Sequence, residues 1–260
     1  MRLAGYIIDE GRSSQLSEDD AIYELRKYCA KSIRAWNAWY RIYRGIKSIG
    51  QFRYVDPSKS VRMSRNTNNL YTLVMDNSPS WKRYPKRSKS IICATSVRGA
   101  AAYGDPYSIL TRDGANYGLC SKNDIWGSFD TTIGYGMQDF NWDFLVVIGE
   151  KMLGMTGNEN VSSFGELKKI CAEMDKRYLD ESRHGMSVGD IRARYTWMDR
   201  YDGNFLKLLQ TLISPDINGF QNIKDPMKIP SGGNYEVWTD SPSYMIKEEW
   251  LNLNIDKVTG

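Results

Sequence analysis

An α+β fold is predicted for this chain on three observations. Residues 85–120 read as strand, short helix and strand; residues 18 to 47 carry one sustained helical period; and beyond Pro230 a glycine loop leads into a further strand. Strands near both ends with helices between them are the order of one α+β sheet closed by its C-terminal segment. Residues 1–50 are expected to form a strand and a long helix packed on the core, and residues 51–260 a single α+β domain.

The elements follow in order. Residues 3 to 8 are a short apolar strand. Ser17 then caps a helix with acids behind it, and Ile22, Leu25, Tyr28, Cys29, Ile33, Trp36, Tyr40 and Tyr43 recur at helical spacing, which predicts one amphipathic helix to residue 47. Its other face holds Arg26, Lys27, Lys31, Arg34, Arg41, Arg44 and Lys47, either a solvated face or a surface for an acidic partner or nucleic acid. Residues 51 to 65 alternate around Pro57, predicting a broken strand whose second half runs from Val61 to Arg65. Alternation turns Arg65 inward with Val61 and Met63, and a slip of one residue would exchange it for Arg62. An inward arginine is either salt-bridged in the core or faces a cleft that takes a phosphate.

Asn66 to Met75 is a helix ended by Asp76-Asn77-Ser78-Pro79, and Trp81 and Tyr84 flank a basic run over residues 82–89. Such a run suits a nucleic-acid groove as well as it suits a surface loop. Ser90 to Ala94 is apolar and β-branched, too short for a stable helix, and reads as a buried strand. Ser96 caps the alanine-rich helix Val97 to Tyr103, Gly104 ends it, Tyr107 to Leu110 is extended again, and Asp113-Gly114 is a turn from which Tyr117 to Cys120 pairs back. A strand ending in small hydroxyl residues before a helix gathers N–H groups and hydroxyls at one spot, which suits a phosphate or a ribose. Ser121 to Phe129 is a helical turn. Helices follow at Phe140 to Leu153, at Ser163 to Leu179 behind the Ser163-x-x-Glu166 capping box, and at Phe205 to Ile213. A charged stretch over 180–202 holds His184, which has no companion nucleophile. The glycine loop at Ser231-Gly232-Gly233 enters a strand at Glu236, and Tyr244 to Ile246 is one more strand.

Composition limits the function classes. With 260 residues, 41% of them hydrophobic, the chain can bury a sizeable core. A net charge of +4 is too small to announce a nucleic-acid partner by itself. The 4 cysteines stand apart without CxxC spacing and the chain has 1 histidine, so reduced thiols of a cytoplasmic protein are expected and a bound metal is not. The N-terminus lacks the apolar core of a signal peptide and no window approaches the roughly 20 apolar residues of a membrane span. The 8 tryptophans and 17 tyrosines suit an aromatic core or stacking on bases.

An early inward arginine, the strand end Ala94-Thr95-Ser96 with its alanine-rich helix, and a late glycine loop into a strand bearing Glu236 together resemble the ADP-ribosyltransferase superfamily, in which an Arg, an S-T-S strand end and a Glu surround NAD. The segment IICATSVRGAAAYG looks like the family's strand and following helix, and YEVWTDSPSYMI is similar to its Glu-bearing strand in the DNA-targeting and RNA-phosphotransferring branches. SPSWKRYPKRSKSIICATS also resembles proteins of bacteriophage genomes, which implies a host-cytoplasm setting. The resemblance implies a split-sheet, NAD-binding catalytic core; transfer of ADP-ribose to a macromolecular acceptor, a host protein or nucleic acid; Glu236 as the catalytic acid; and Arg65, Thr95, Ser96 and Tyr103 at the dinucleotide. Asn234, two residues before the Glu, stands where many members hold the acceptor with Gln or Glu. Ala94 stands where the first Ser of the pattern would be, so the ribose-orienting hydroxyl falls to Thr95, Ser96 or Ser90. Two other readings remain open: a non-catalytic nucleic-acid or host-protein binding module using the basic, aromatic surface, and a phosphotransferase on the same fold.

Overall fold

The computed structural model describes residues 12–47, 50–59, 61–62, 70–129, 161–183, 201 and 203–260. The expected strand at residues 3 to 8, the expected helix at 140 to 153, Arg65 and His184 lie outside them. The chain divides into two compact units, Met1–Met63 with Arg83–Ser128 and Gly219–Gly260, and Ser64–Lys82 with Phe129–Asn218.

Among the described residues the first unit holds an antiparallel sheet of 9 strands: β1 (Arg12–Gln15), β2 (Tyr43–Ile46), β3 (Phe52–Asp56), β4 (Ile91–Ala94), β5 (Asp105–Thr111), β6 (Tyr117–Leu119), β7 (Gln221–Ile223), β8 (Glu236–Thr239) and β9 (Ser243–Lys247). The order across the sheet is β1-β3-β9-β5-β2-β4-β8-β6-β7. The fold is therefore mixed α+β with a large antiparallel sheet, as the strand and helix patterns imply. Along β5 and β9 the register runs from Tyr107 against Lys247 to Thr111 against Ser243, whereas β2 and β4 share the single registered pair Tyr43 with Ala94. The ladder is thinnest at that joint.

Helices α1 (Glu18–Tyr28), α2 (Ala30–Asn37) and the C-terminal helix (Glu248–Thr259) cover one face. Leu25, Ile33, Trp36, Leu110, Tyr244, Ile246 and Leu251 pack there. A second cluster gathers Val55, Ile91, Cys93, Tyr107, Ile109, Val237 and Met245. Each such side chain removed from water contributes about 1.5–3 kcal/mol.

One helix from 18 to 47 was expected; the chain instead forms α1, α2 and then β2. The break at Cys29 has a tertiary cause. Asp113 donates its N–H to the Tyr28 carbonyl at 2.7 Å, and its carboxylate accepts the Lys31 N–H at 2.8 Å, so backbone groups that would bond along the helix bond to the 112–115 turn. The second end, at Trp39, is a left-handed cap with φ 67° on a non-glycine residue, closed by Tyr40 N–H to Ala35 O at 2.9 Å. The Arg41 guanidinium lies 3.6 Å from the Trp36 ring centre and 4.1 Å from that of Trp39, which holds the cap in place.

Three more expectations are corrected. The chain from 52 to 56 is the strand, a one-turn 3-10 helix follows at Pro57–Lys59, and Val61 and Arg62 lie in irregular chain, so no strand begins at Val61. β6 does not pair back on β5; it joins β8 and β7, with Leu119 against Val237. The strand expected at 244 to 246 is β9, and the helix after it was not anticipated.

The second unit is helical where described. Helix α3 (Leu70–Asn77) overlaps the helix expected from Asn66 to Met75 and runs on through Asp76-Asn77, which were expected in the turn, and Ser163 caps Phe164–Arg183, with Glu166 N–H on Ser163 Oγ at 3.2 Å and the Ser162 N–H on Glu166 at 2.8 Å. Phe205–Leu212 buries Phe205, Leu208 and Leu209, and its first N–H is received by Asp175 at 2.7 Å. Among the described residues no helix is long and apolar enough to cross a membrane.

Candidate functional site

Strand β4 ends at Ala94, and Thr95-Ser96 lead from it into α4 (Val97–Ala101), as the β-branched run and the capping serine predict. Ser96 Oγ accepts the Gly99 N–H at 2.9 Å and donates to Asn234 Oδ1 at 3.0 Å. Thr95, 6% exposed, takes the 233–235 loop in a double grip: its N–H donates to the Tyr235 carbonyl at 3.0 Å, and its hydroxyl accepts the Tyr235 N–H at 2.9 Å. The same hydroxyl lies 3.4 Å from the Gly233 carbonyl. Ser90, the third hydroxyl considered for the ribose, donates to the Lys86 carbonyl at 2.6 Å. The structure thus brings Thr95 and Ser96 together with the distant 233–235 loop, joining Ser96 directly to Asn234 and Thr95 to Tyr235.

Glu236 opens β8 beside this loop. In the register Ala94 pairs with Glu236 on one side and with Tyr43 on the other, so the strand end and the acid stand side by side. The Glu236 backbone is fixed on both sides, its N–H on Asn123 O at 2.9 Å and its carbonyl on the Cys120 N–H at 3.0 Å. Its carboxylate, 18% exposed, meets Arg87 Nη2 at 2.6 Å; the Arg87 side chain is 2% exposed. Cys120 Sγ lies 3.9 Å from the same Oε1. Burial first, and then the charge of Glu236, hold the Cys120 thiol well above its ordinary range, so it is a neutral neighbour and not a nucleophile.

Arg87 was read only as part of a basic run. In the structure its guanidinium lies 5.2 Å from the Trp238 ring centre, and the aromatics of that run turn inward. Trp81 is buried at 3% exposure, its Nε1–H on Ile213 O at 2.6 Å, while Tyr84 stacks on Trp238 and donates to Phe220 O at 2.9 Å.

Arg44 is the second residue that the sequence did not single out. It lies on β2, 8% exposed, and Nη1 donates to the Ile92 carbonyl of β4. Gly45 beside it lets α4 close down on β2: a Cβ there would stand 1.7 Å from the Ala100 carbonyl oxygen. Gly45, between Arg44 and the β-branched Ile46, was the available sign that the helical period had stopped. Tyr103, after α4, is 51% exposed.

Among the described residues no group of three or more His, Cys, Asp or Glu side chains is gathered to hold a metal ion. No family model matches the chain, and no curated protein or solved structure does.

Proposed function

We propose that the chain transfers ADP-ribose from NAD to a macromolecular acceptor. The observation that carries this reading is the row of three adjacent strands at the thinnest joint of the sheet. An arginine strand, β2 with Arg44, adjoins the strand leading into Thr95-Ser96, which adjoins the strand opening on Glu236. Arg, hydroxyl strand end and Glu are the elements of the family resemblance. Arg44 fits its arginine by adjacency to β4, and takes in this proposal the role expected of Arg65.

The roles follow from the chemistry. The C1′–N1 bond of NAD breaks, its electron pair leaves with nicotinamide, and positive charge develops on the ribose. An acceptor nucleophile then attacks C1′ and releases its proton. Glu236, rigid at a strand start, stabilises the developing charge and holds a ribose hydroxyl. Arg44, held by its Nη1 bond to the Ile92 carbonyl, gives the pyrophosphate a buried positive charge beside β4. Thr95 and Ser96 hold the 233–235 loop against the strand end, so their hydroxyls set the position of Asn234 and Tyr235 beside Glu236. Tyr103, exposed after α4, takes in this proposal the role of stacking on the nicotinamide ring. Asn234 contacts the acceptor once the loop opens from Ser96.

The test is direct. The purified chain is incubated with NAD labelled in the adenosine half and with bacterial lysate, and free nicotinamide is measured together with label in protein, DNA and RNA. Nicotinamide release with label in one of those fractions is expected. Neither release nor label, from a folded protein, ends the proposal.

A further inference from the structure

We infer that Arg87 is a positioning residue for Glu236, holding the carboxylate in the place where this chain has no hydroxyl to do so; the inference rests on the transferase reading above. Ala94 and Glu236 are direct cross-strand partners. Side chains at such a pair have Cβ atoms about 5 Å apart, so a serine at position 94 would reach the carboxylate. Position 94 carries a methyl group, which offers Glu236 nothing. A glutamate at a strand start with no hydrogen-bond partner swings among rotamers, and a charge-stabilising group that swings loses most of its effect on a transition state.

Arg87 supplies what Ala94 lacks. Nη2 meets Glu236 Oε1 at 2.6 Å, a charge-assisted contact. Cys120 Sγ approaches the same oxygen at 3.9 Å. Both act on Oε1, which leaves Oε2 for the ribose.

The arginine is itself fixed. It opens the 3-10 turn Arg87–Lys89, which Lys89 N–H closes on Lys86 O at 3.0 Å. Asp240 accepts the Lys86 N–H at 3.1 Å, and Ser90 Oγ donates to the Lys86 carbonyl at 2.6 Å. The Trp238 ring lies beneath the guanidinium, and its own Nε1–H is held by Pro85 O at 3.1 Å. Each neighbour of Arg87 is thus pinned to β8 or to its own turn. A surface cation would need none of this; a side chain that sets the rotamer of another does.

The experiment measures nicotinamide release by Arg87→Met, Arg87→Lys, Glu236→Gln and the double variant Arg87→Met/Glu236→Gln, with melting curves for each. Arg87→Met is expected to lower kcat about 10²-fold while KM for NAD stays within about threefold of wild type, because only the placement of Glu236 is lost. Added to Glu236→Gln it is expected to cost no further turnover, since it acts through that carboxylate. Ala94→Ser in the Arg87→Met background is expected to recover about tenfold, by the cross-strand hydroxyl. Wild-type kcat in a folded Arg87→Met chain, or a loss that multiplies with that of Glu236→Gln, overturns the positioning role and leaves the transferase reading standing. If Arg87→Met does not fold, Arg87→Lys decides: reduced kcat at unchanged KM supports the role, and unchanged kcat overturns it. A wild-type chain that releases no nicotinamide overturns both readings.

Discussion

Gly118 and Trp238 are cross-strand partners on β6 and β8, and the tryptophan ring lies flat against the bare glycine backbone: a Cβ on Gly118 would stand 2.1 Å from the ring. Trp238 is fully buried, with Tyr84 stacked at 18° and Phe220 meeting it edge-on. The ring therefore has no room to retreat. Gly118→Ala is expected to destabilise the fold by about 1–3 kcal/mol, the cost of overpacking a filled core. Urea denaturation measures it, and a midpoint equal to wild type would show that the β6–β8 packing is looser than described.

NAD is expected to stabilise the protein. Ligand at 100 times its dissociation constant adds about 2.7 kcal/mol by mass action. Arg44→Lys keeps a cation and removes the guanidinium that bonds the Ile92 carbonyl, and is expected to weaken NAD binding by about 1.5–3 kcal/mol. Calorimetry on Arg44→Lys, Arg65→Ala and wild type separates the two arginines. Loss confined to Arg65→Ala would return the pyrophosphate role to Arg65.

Glu236→Gln keeps the shape of the acid and removes its charge. NAD affinity is expected to change little while transfer falls roughly 10²-fold or more. A folded Glu236→Gln chain that binds NAD and transfers at the wild-type rate would refute the mechanism.

The cysteines give a pH prediction. Burial raises the thiols of Cys29 and Cys120 and lifts Cys171 to about 12, all from an ordinary 9.0. Neutral in the folded chain, they ionise at ordinary pH only when unfolded. The stability they lend is full below pH 9.0 and is lost as pH climbs from there toward the raised values. Melting temperature is expected to fall on the alkaline side of 9.0, and iodoacetamide at pH 8.0 to leave these cysteines unmodified until urea is added. Fast labelling of Cys120 in the folded chain would contradict its burial.

What the sequence made legible was local. Ile91 to Ala94, the Ser96 cap, the Ser163/Glu166 box and the glycine loop before Glu236 each announce their element by chemistry within a few residues. What stayed hidden depends on distant partners. The helical period through Cys29 is genuine, yet Asp113 takes its hydrogen bonds, and the Asp113-Gly114 turn that looked like a hairpin serves that break. Arg44 lay inside the period that Trp39 and Gly45 end. Arg87 looked like one cation in a run, because its partner Glu236 and its platform Trp238 lie far along the chain. The strand at residues 117 to 119 is short enough that nothing in it names its neighbours.

The position of β9 governs how this protein is made. Residues 243–247 lie between strands 52–56 and 105–111, and are hydrogen-bonded to both. A ribosome producing about 5–20 residues per second releases those two strands roughly 7 to 40 seconds before their shared neighbour. Through that interval each nascent strand has an open edge, which is the template for pairing with the wrong chain. Translation thus supplies the strand between them only after both of its neighbours, and a chain cut short before Ser243 loses the strand that joins Phe52–Asp56 to Asp105–Thr111.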